Sequence, residues 1–195
     1  MAIVAENGID TRSRILRESE HLFMAHGFAS VSMREICEAC KLTKPGVYYH
    51  FRDKEDLYVQ VVLGVMGRAH GMLEAAAHAE LDLSHRVEAA VRALVLIASQ
   101  NMDQVRRDMV EHVEGEARHT LERSFFTDMA GPIVEMMTTA YERGELRPDM
   151  RPDHAAKALL ALTSSFTDQS GGWAIPPIEV PAVVTRILLE GFASR

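Results

Sequence analysis

"KLTKPGVYYHFRDKEDLY", residues 41–58, packs a Pro-Gly pair, two adjacent tyrosines, a histidine, a phenylalanine and four Lys/Arg side chains into one short run. Its order decides the fold. Thr43 offers a side-chain oxygen to cap a helix, and Pro45 suits a first turn, where no N–H partner is needed. Val47 and Phe51 lie one turn apart and, with Leu42, form a side that can pack inward. Pro45 and Tyr49 point the other way, with Lys44, Gly46, Tyr48 and His50 on the flanks. A lysine reaches a base edge or a phosphate. A tyrosine hydroxyl bonds phosphate while its ring packs on sugar or a thymine methyl. Gly46 lets the helix approach a groove wall closely. Lys54 places a cation beside the free amides at the start of the next helix, a favourable phosphate site.

The preceding stretch reads as the partner helix. In "SVSMREICEAC", residues 30–40, Ser32 and Glu35 have the spacing of a capping box. Met33, Ile36, Cys37 and Cys40 share the inner face, and Lys41-Leu42 make a short turn. Two short helices joined this way are the layout of a helix-turn-helix. A first helix spans about Thr11 to His26, capped by Asp10 or Thr11. Gly27 ends it, because a terminal residue at positive φ is cheapest without a Cβ.

The whole ordered run from Thr11 to Val62 resembles the TetR family of bacterial transcription regulators. Phe28, Ser32, Tyr48, Tyr49, His50, Phe51, Lys54, Glu55 and Leu57 all fit that pattern. The resemblance implies base-edge contacts from Arg34, Thr43, Lys44, Pro45, Gly46 and Tyr48. It implies phosphate contacts from Ser32, Tyr49, His50 and Lys54. Cys40-Lys41 departs from the family, which usually has a small residue followed by glycine there, and lysine is expected to shift the interhelical angle slightly.

The 195-residue chain is 47% apolar and 25% charged, enough for a sizeable core in one or two small domains. No apolar run approaches the roughly 20 residues of a membrane span, and the first residues lack the layout of a signal peptide. With two cysteines and no disulfide framework, the expectation is a cytoplasmic protein. The net charge of −7 gives no support for nucleic-acid binding by itself. Residues 41–54, however, carry Lys41, Lys44, Arg52 and Lys54 against Asp53 alone, a basic patch on an acidic body.

Periodicity of three and four along the chain, with Gly and Pro mostly between periodic segments, makes the fold all-α. The expected division is a helix-turn-helix DNA-binding domain over 1–57 and a helical ligand-binding and dimerisation domain over 58–195. A long helix from about Lys54 to Ala77 joins them. Further helices are expected over about 85–99, 103–114, 117–143, 153–170 and 179–193. Pro132 should kink or break the third of these stretches.

In the family the last two helices pair with their copies in a second subunit. Ala155, Ala158, Leu159, Leu162 and Phe166, and Val183, Val184, Ile187, Leu188 and Phe192, have helical spacing suited to such a homodimer interface. Met102, Met109, Met129, Met136 and Met137, with Phe125, Phe126, Phe166 and Trp173, are candidates to line a pocket for a small apolar or aromatic effector, since methionine adapts to irregular volumes. His112 flanks this stripe and is a candidate to orient a guest. Cys37-x-x-Cys40 has no second ligand pair and falls on an inner helix face, so it reads as core filler. No metal and no cofactor are expected. An α-helical enzyme would need a convergent nucleophile, base or metal set, and none stands out. A protein-binding adaptor would have no use for the outward Lys44, Tyr49, His50 and Lys54. The reading is a ligand-responsive repressor that binds an inverted-repeat operator on double-stranded DNA as a dimer.

Overall fold

The computed structural model describes residues 2–99, 102–167 and 175–192, without the side chains of 2–10, 102, 103, 106, 191 and 192. The described residues form helices and no β-strand. These are α1 (Ala2–Ser30), α2 (Met33–Cys40), α3 (Lys44–Tyr48), α4 (Lys54–Ala77), α5 (Leu83–Ala98), α6 (Met102–His112), α7 (Gly115–Ser124), α8 (Gly131–Glu142), α9 (Pro152–Thr167) and α10 (Val180–Phe192).

Two compact units emerge. The first comprises Met1–Val65 and Asn101–Glu122, the second Met66–Gln100 and Arg123–Arg195. This partition by packing differs from the expected cut after residue 57. The reason is that α6 returns to lie on α1, so a segment from the middle of the chain joins the N-terminal core.

In the first unit, Ile15, Phe23, Ile36, Val47, Phe51 and Leu57 are buried together. α1 starts well before the expected Thr11, so Asp10 and Thr11 fall inside it. Gly27, at φ 77 and ψ 163, interrupts it where an end was expected. The backbone favours a glycine there, and a side chain would also have to displace the end of Gln104. The φ is unfavourable for a side chain, and an added Cβ would stand 2.7 Å from Gln104 Nε2 of α6.

In the second unit α10 packs on α5 and α9, and α8 packs on α9. Val87, Val91, Ile133, Met137, Leu159 and Val184 are among its buried side chains. Arg86 is buried here too, at 1% exposure, and pairs through its guanidinium with Glu145. Pro132 acts much as expected. It has no N–H to donate, and the helix ahead of it widens into a π-turn over Phe125–Ala130 before α8 starts with the proline in its first turn.

Candidate nucleic-acid interface

The local rules of the helix-turn-helix are satisfied atom by atom. Ser32 Oγ accepts from the Glu35 N–H at 3.2 Å, and Glu35 Oε2 accepts from the Ser32 N–H at 2.7 Å. The Ser32 hydroxyl, which donates to Glu35 Oε2 at 2.7 Å, and the Ser32 N–H together hold the Glu35 carboxyl below its ordinary range. Ile36, Cys37 and Cys40 are buried, as an inner face requires. Both cysteines are free thiols, and burial pushes the Cys40 thiol up, which makes it a poor nucleophile and suits core filling. Among the described residues no group of three or more His, Cys, Asp or Glu is placed to hold a metal.

Lys41 takes the place usually held by glycine and adopts glycine's conformation, φ 52 and ψ 45. The turn closes with the Lys41 N–H on Glu38 O at 3.1 Å and the Leu42 N–H on Cys37 O at 2.9 Å. The left-handed backbone is thus kept, and lysine bears the steric cost of its Cβ, about 1 kcal/mol.

α3 begins at the Thr43 cap, whose Oγ1 accepts from the Gly46 N–H at 3.4 Å. Val47 and Phe51 are buried, at 0% and 2% exposure, and anchor the helix. Lys44, Pro45 and Tyr48 are exposed on the outside, and Tyr49 is 86% exposed. Gly46 is half-buried, and a Cβ there would make only ordinary contacts, the nearest 3.5 Å from Thr43 Oγ1. Packing therefore does not demand this glycine. His50 is half-buried between the rings of Tyr49 and Phe51, with centroids at 5.1 and 6.5 Å. Arg34 projects from α2 and pairs loosely with Glu38 at 3.6 Å.

Two features were not read from the sequence. Asp53, the one acid in the basic run, caps α4: its Oδ1 accepts from the Asp56 N–H at 2.8 Å, while Asp56 Oδ2 accepts from the Arg52 N–H at 3.0 Å. An aspartate ahead of a helical pattern was the available signal. The second is the seat of Lys54. Its ammonium is not free at the helix start but lies 4.3 Å from the centroid of the Phe28 ring, and burial lowers its pKa. Phe28 had been read only as part of a family pattern.

The expected pocket residues are divided between the two units. Met109 and His112 belong to the first unit, and Phe125, Met129, Met136 and Phe166 to the second. The His112 ring packs against Phe28 at 5.6 Å between centroids, tilted by 32°, the role of a structural ring. Phe125 and Phe126 are exposed, Phe166 is half-buried, and Met129 and Met136 are buried. A cleft of about 380 Å³ opens beside the α4–α5 turn, where His78, Leu81, Arg86, Met136, Thr139 and Arg143 are among its walls. Of the expected residues it includes Met136 alone, and charged side chains share its walls with apolar ones where a mainly apolar space was expected. Trp173 and the side chains of Met102 and Phe192 lie outside the described residues.

The expected interface residues differ in their burial within the protomer. Ala155, Leu159, Val184 and Leu188 are buried in the protomer's own core, each at 0–1% exposure, so a partner cannot reach them. Leu162 and Phe166 are half-buried, and Ile187 on α10 is 44% exposed. No described helix is long and apolar enough to cross a membrane.

Comparison with known proteins agrees with this geometry. The family described as bacterial regulatory proteins of the tetR family matches residues 15–61, a span from α1 through the helix-turn-helix into α4. The HTH-type transcriptional regulator UidR of Escherichia coli K12 is 27% identical over 156 residues, covering 78% of each chain. The HTH-type transcriptional repressor BepR of Brucella suis is 28% identical over 172 residues, covering 82% of this chain and 80% of its own. A crystal structure of a TetR/AcrR-family regulator from Thermobifida fusca superposes with a TM-score of 0.74 at 23% identity, covering 93% of this chain and 98% of that one. UidR and BepR are named as HTH-type transcriptional regulators. The stretch that matches the tetR family is the one that carries the helix-turn-helix, and along most of its length the chain is similar to HTH-type transcriptional regulators.

Proposed function

We propose that this regulator is a repressor that binds an inverted-repeat operator as a homodimer and is released by a small-molecule effector. The observation that carries the reading is α3. Val47 and Phe51 bury one side while Lys44, Pro45 and Tyr49 stand out on the other, a face built of groove-reading chemistry with no structural use of its own. Base edges fall to Arg34, Thr43, Lys44, Pro45, Gly46 and Tyr48, and phosphates to Ser32, Tyr49, His50 and Lys54. The functional division is residues 1–57 for DNA and 58–195 for effector and partner, acting in the cytoplasm. Repression is favoured by the name of BepR.

Dimerisation uses the faces of α9 and α10 that the protomer leaves open, with Ala158, Leu162, Phe166, Val183 and Ile187 replacing the internal residues of the sequence reading. An apolar or aromatic effector remains the class that the methionine-rich stretch supports, acting by changing the separation of the two α3 helices. Half-sites on one DNA face need centres about 34–36 Å apart or a multiple. Selection of bound duplexes from a random library tests the reading, with an inverted repeat as the expected product. Enrichment of a single half-site would remove the dimer, and no enrichment would remove sequence recognition. Leu162→Glu with Ile187→Glu should sediment as monomer and lose operator binding, whereas a soluble dimer would move the interface elsewhere.

A further inference from the structure

Phe28 is not among the residues assigned to DNA, yet it supports one that is. Its ring carries the Lys54 ammonium at 4.3 Å. The ring itself is fixed on three sides, by Phe23 at 6.1 Å, Tyr58 at 5.0 Å and His112 at 5.6 Å between centroids. Its backbone is fixed as well. After the bend at Gly27, the Phe28 N–H donates to Asp108 Oδ2 of α6 at 2.8 Å. Asp108 is 3% exposed and also accepts from Gln104 Nε2 at 2.8 Å and from the Tyr58 hydroxyl at 3.4 Å.

We propose that Phe28 is a positioning residue for the phosphate contact of Lys54, and that Asp108 on α6 sets that position. This rests on the DNA-binding reading above and names a regulation of the same site. A lysine stem has about 2 kcal/mol of rotamer entropy to lose when its ammonium is fixed on a phosphate. A ring beneath the ammonium removes part of that loss before DNA arrives. The half-buried setting strengthens the attraction, since a desolvated cation gains more from a ring face than a hydrated one. Burial lowers the Lys54 pKa, and the Asp108 and Glu35 carboxylates offset part of that effect. Because α6 holds both the Phe28 backbone, through Asp108, and one side of its ring, through His112, a shift of α6 loosens the ring and the cation together.

Fluorescence anisotropy on a random-sequence duplex tests this in the full chain. Phe28→Leu should weaken binding about 2- to 5-fold for each DNA-binding unit, the range of a cation–π contact. Phe28→Tyr should restore it. In a Lys54→Ala background, Phe28→Leu should cost nothing further, and Asp108→Ala should match Phe28→Leu without adding to it. Equal losses from Phe28→Leu with and without Lys54 would overturn the proposal while leaving DNA binding intact. Failure of the wild-type chain to bind duplex would overturn the DNA-binding reading and this proposal with it. If Phe28→Leu does not fold, ε-labelled lysine NMR of the wild-type protein decides. One of its four lysines should show ring-shifted ε-protons that vanish in Lys54→Arg, and four unshifted signals would overturn the seat.

Discussion

Residues 32–54 and residues 102–188 are both helical, both rich in functional candidates, and read from the same kind of periodicity. They fared differently. In the helix-turn-helix the inward set of Ile36, Cys37, Cys40, Val47 and Phe51 is buried and the outward set of Lys44, Pro45 and Tyr49 is exposed, as their spacing requires. In the C-terminal helices the apolar residues are correctly apolar, but their partners are not those expected. Leu159 and Leu188 meet the protomer's own core, and Met109 and Met136 belong to different units. Periodicity says which face of a helix is apolar. It does not say whether that face meets a neighbour, a ligand or a second subunit. In residues 32–54 each helix is only one or two turns long and its ends are fixed by short-range caps, so little choice remains.

This contrast can be broken from its strong side first. Phe51→Ala removes the anchor of α3 and should cost about 3–5 kcal/mol, read by chemical denaturation. A loss below about 1 kcal/mol would mean that α3 is not held by its inner face. The second largest effect belongs to the other region. Glu145→Ala strands the Arg86 guanidinium in the core and should cost about 3 kcal/mol. A neutral result would show that water reaches Arg86 through the adjoining cleft.

Gly46→Ala separates the two uses of a residue. The added methyl meets only ordinary contacts, and alanine favours a helix by up to about 1 kcal/mol, so melting temperature should hold or rise. DNA affinity should fall, because the same methyl faces the groove wall. Lower stability with unchanged affinity would return Gly46 to a packing role. The smallest effect is expected at the turn. Lys41→Gly relieves a left-handed lysine and should stabilise by at most about 1 kcal/mol.

How much of the molecule is legible follows from these residues. Ser32, Glu35, Thr43 and Pro45 act within four positions of themselves, and the helix ends they mark agree with the structure. The helix over Lys54–Ala77 is equally legible. Gly27 was legible as a break, but not as the place where Gln104 packs, since that contact spans most of a domain in sequence. The Lys54 seat was hidden for the same reason: it needs Phe28 and Asp108, which nothing local connects. Dimer contacts were legible only as apolar faces, and four of the residues named for them, Ala155, Leu159, Val184 and Leu188, are buried within the protomer.

The most direct test of the central claim, that α3 reads DNA with its outward face, is the base preference of Lys44→Ala. Binding of wild type and variant would be compared across duplexes substituted one base pair at a time in the selected site. The account predicts a loss of discrimination of about 1–3 kcal/mol at one position in each half-site, with the other positions unchanged. A uniform loss across all duplexes would make Lys44 a phosphate contact. No loss at all would contradict the claim that this face enters the groove.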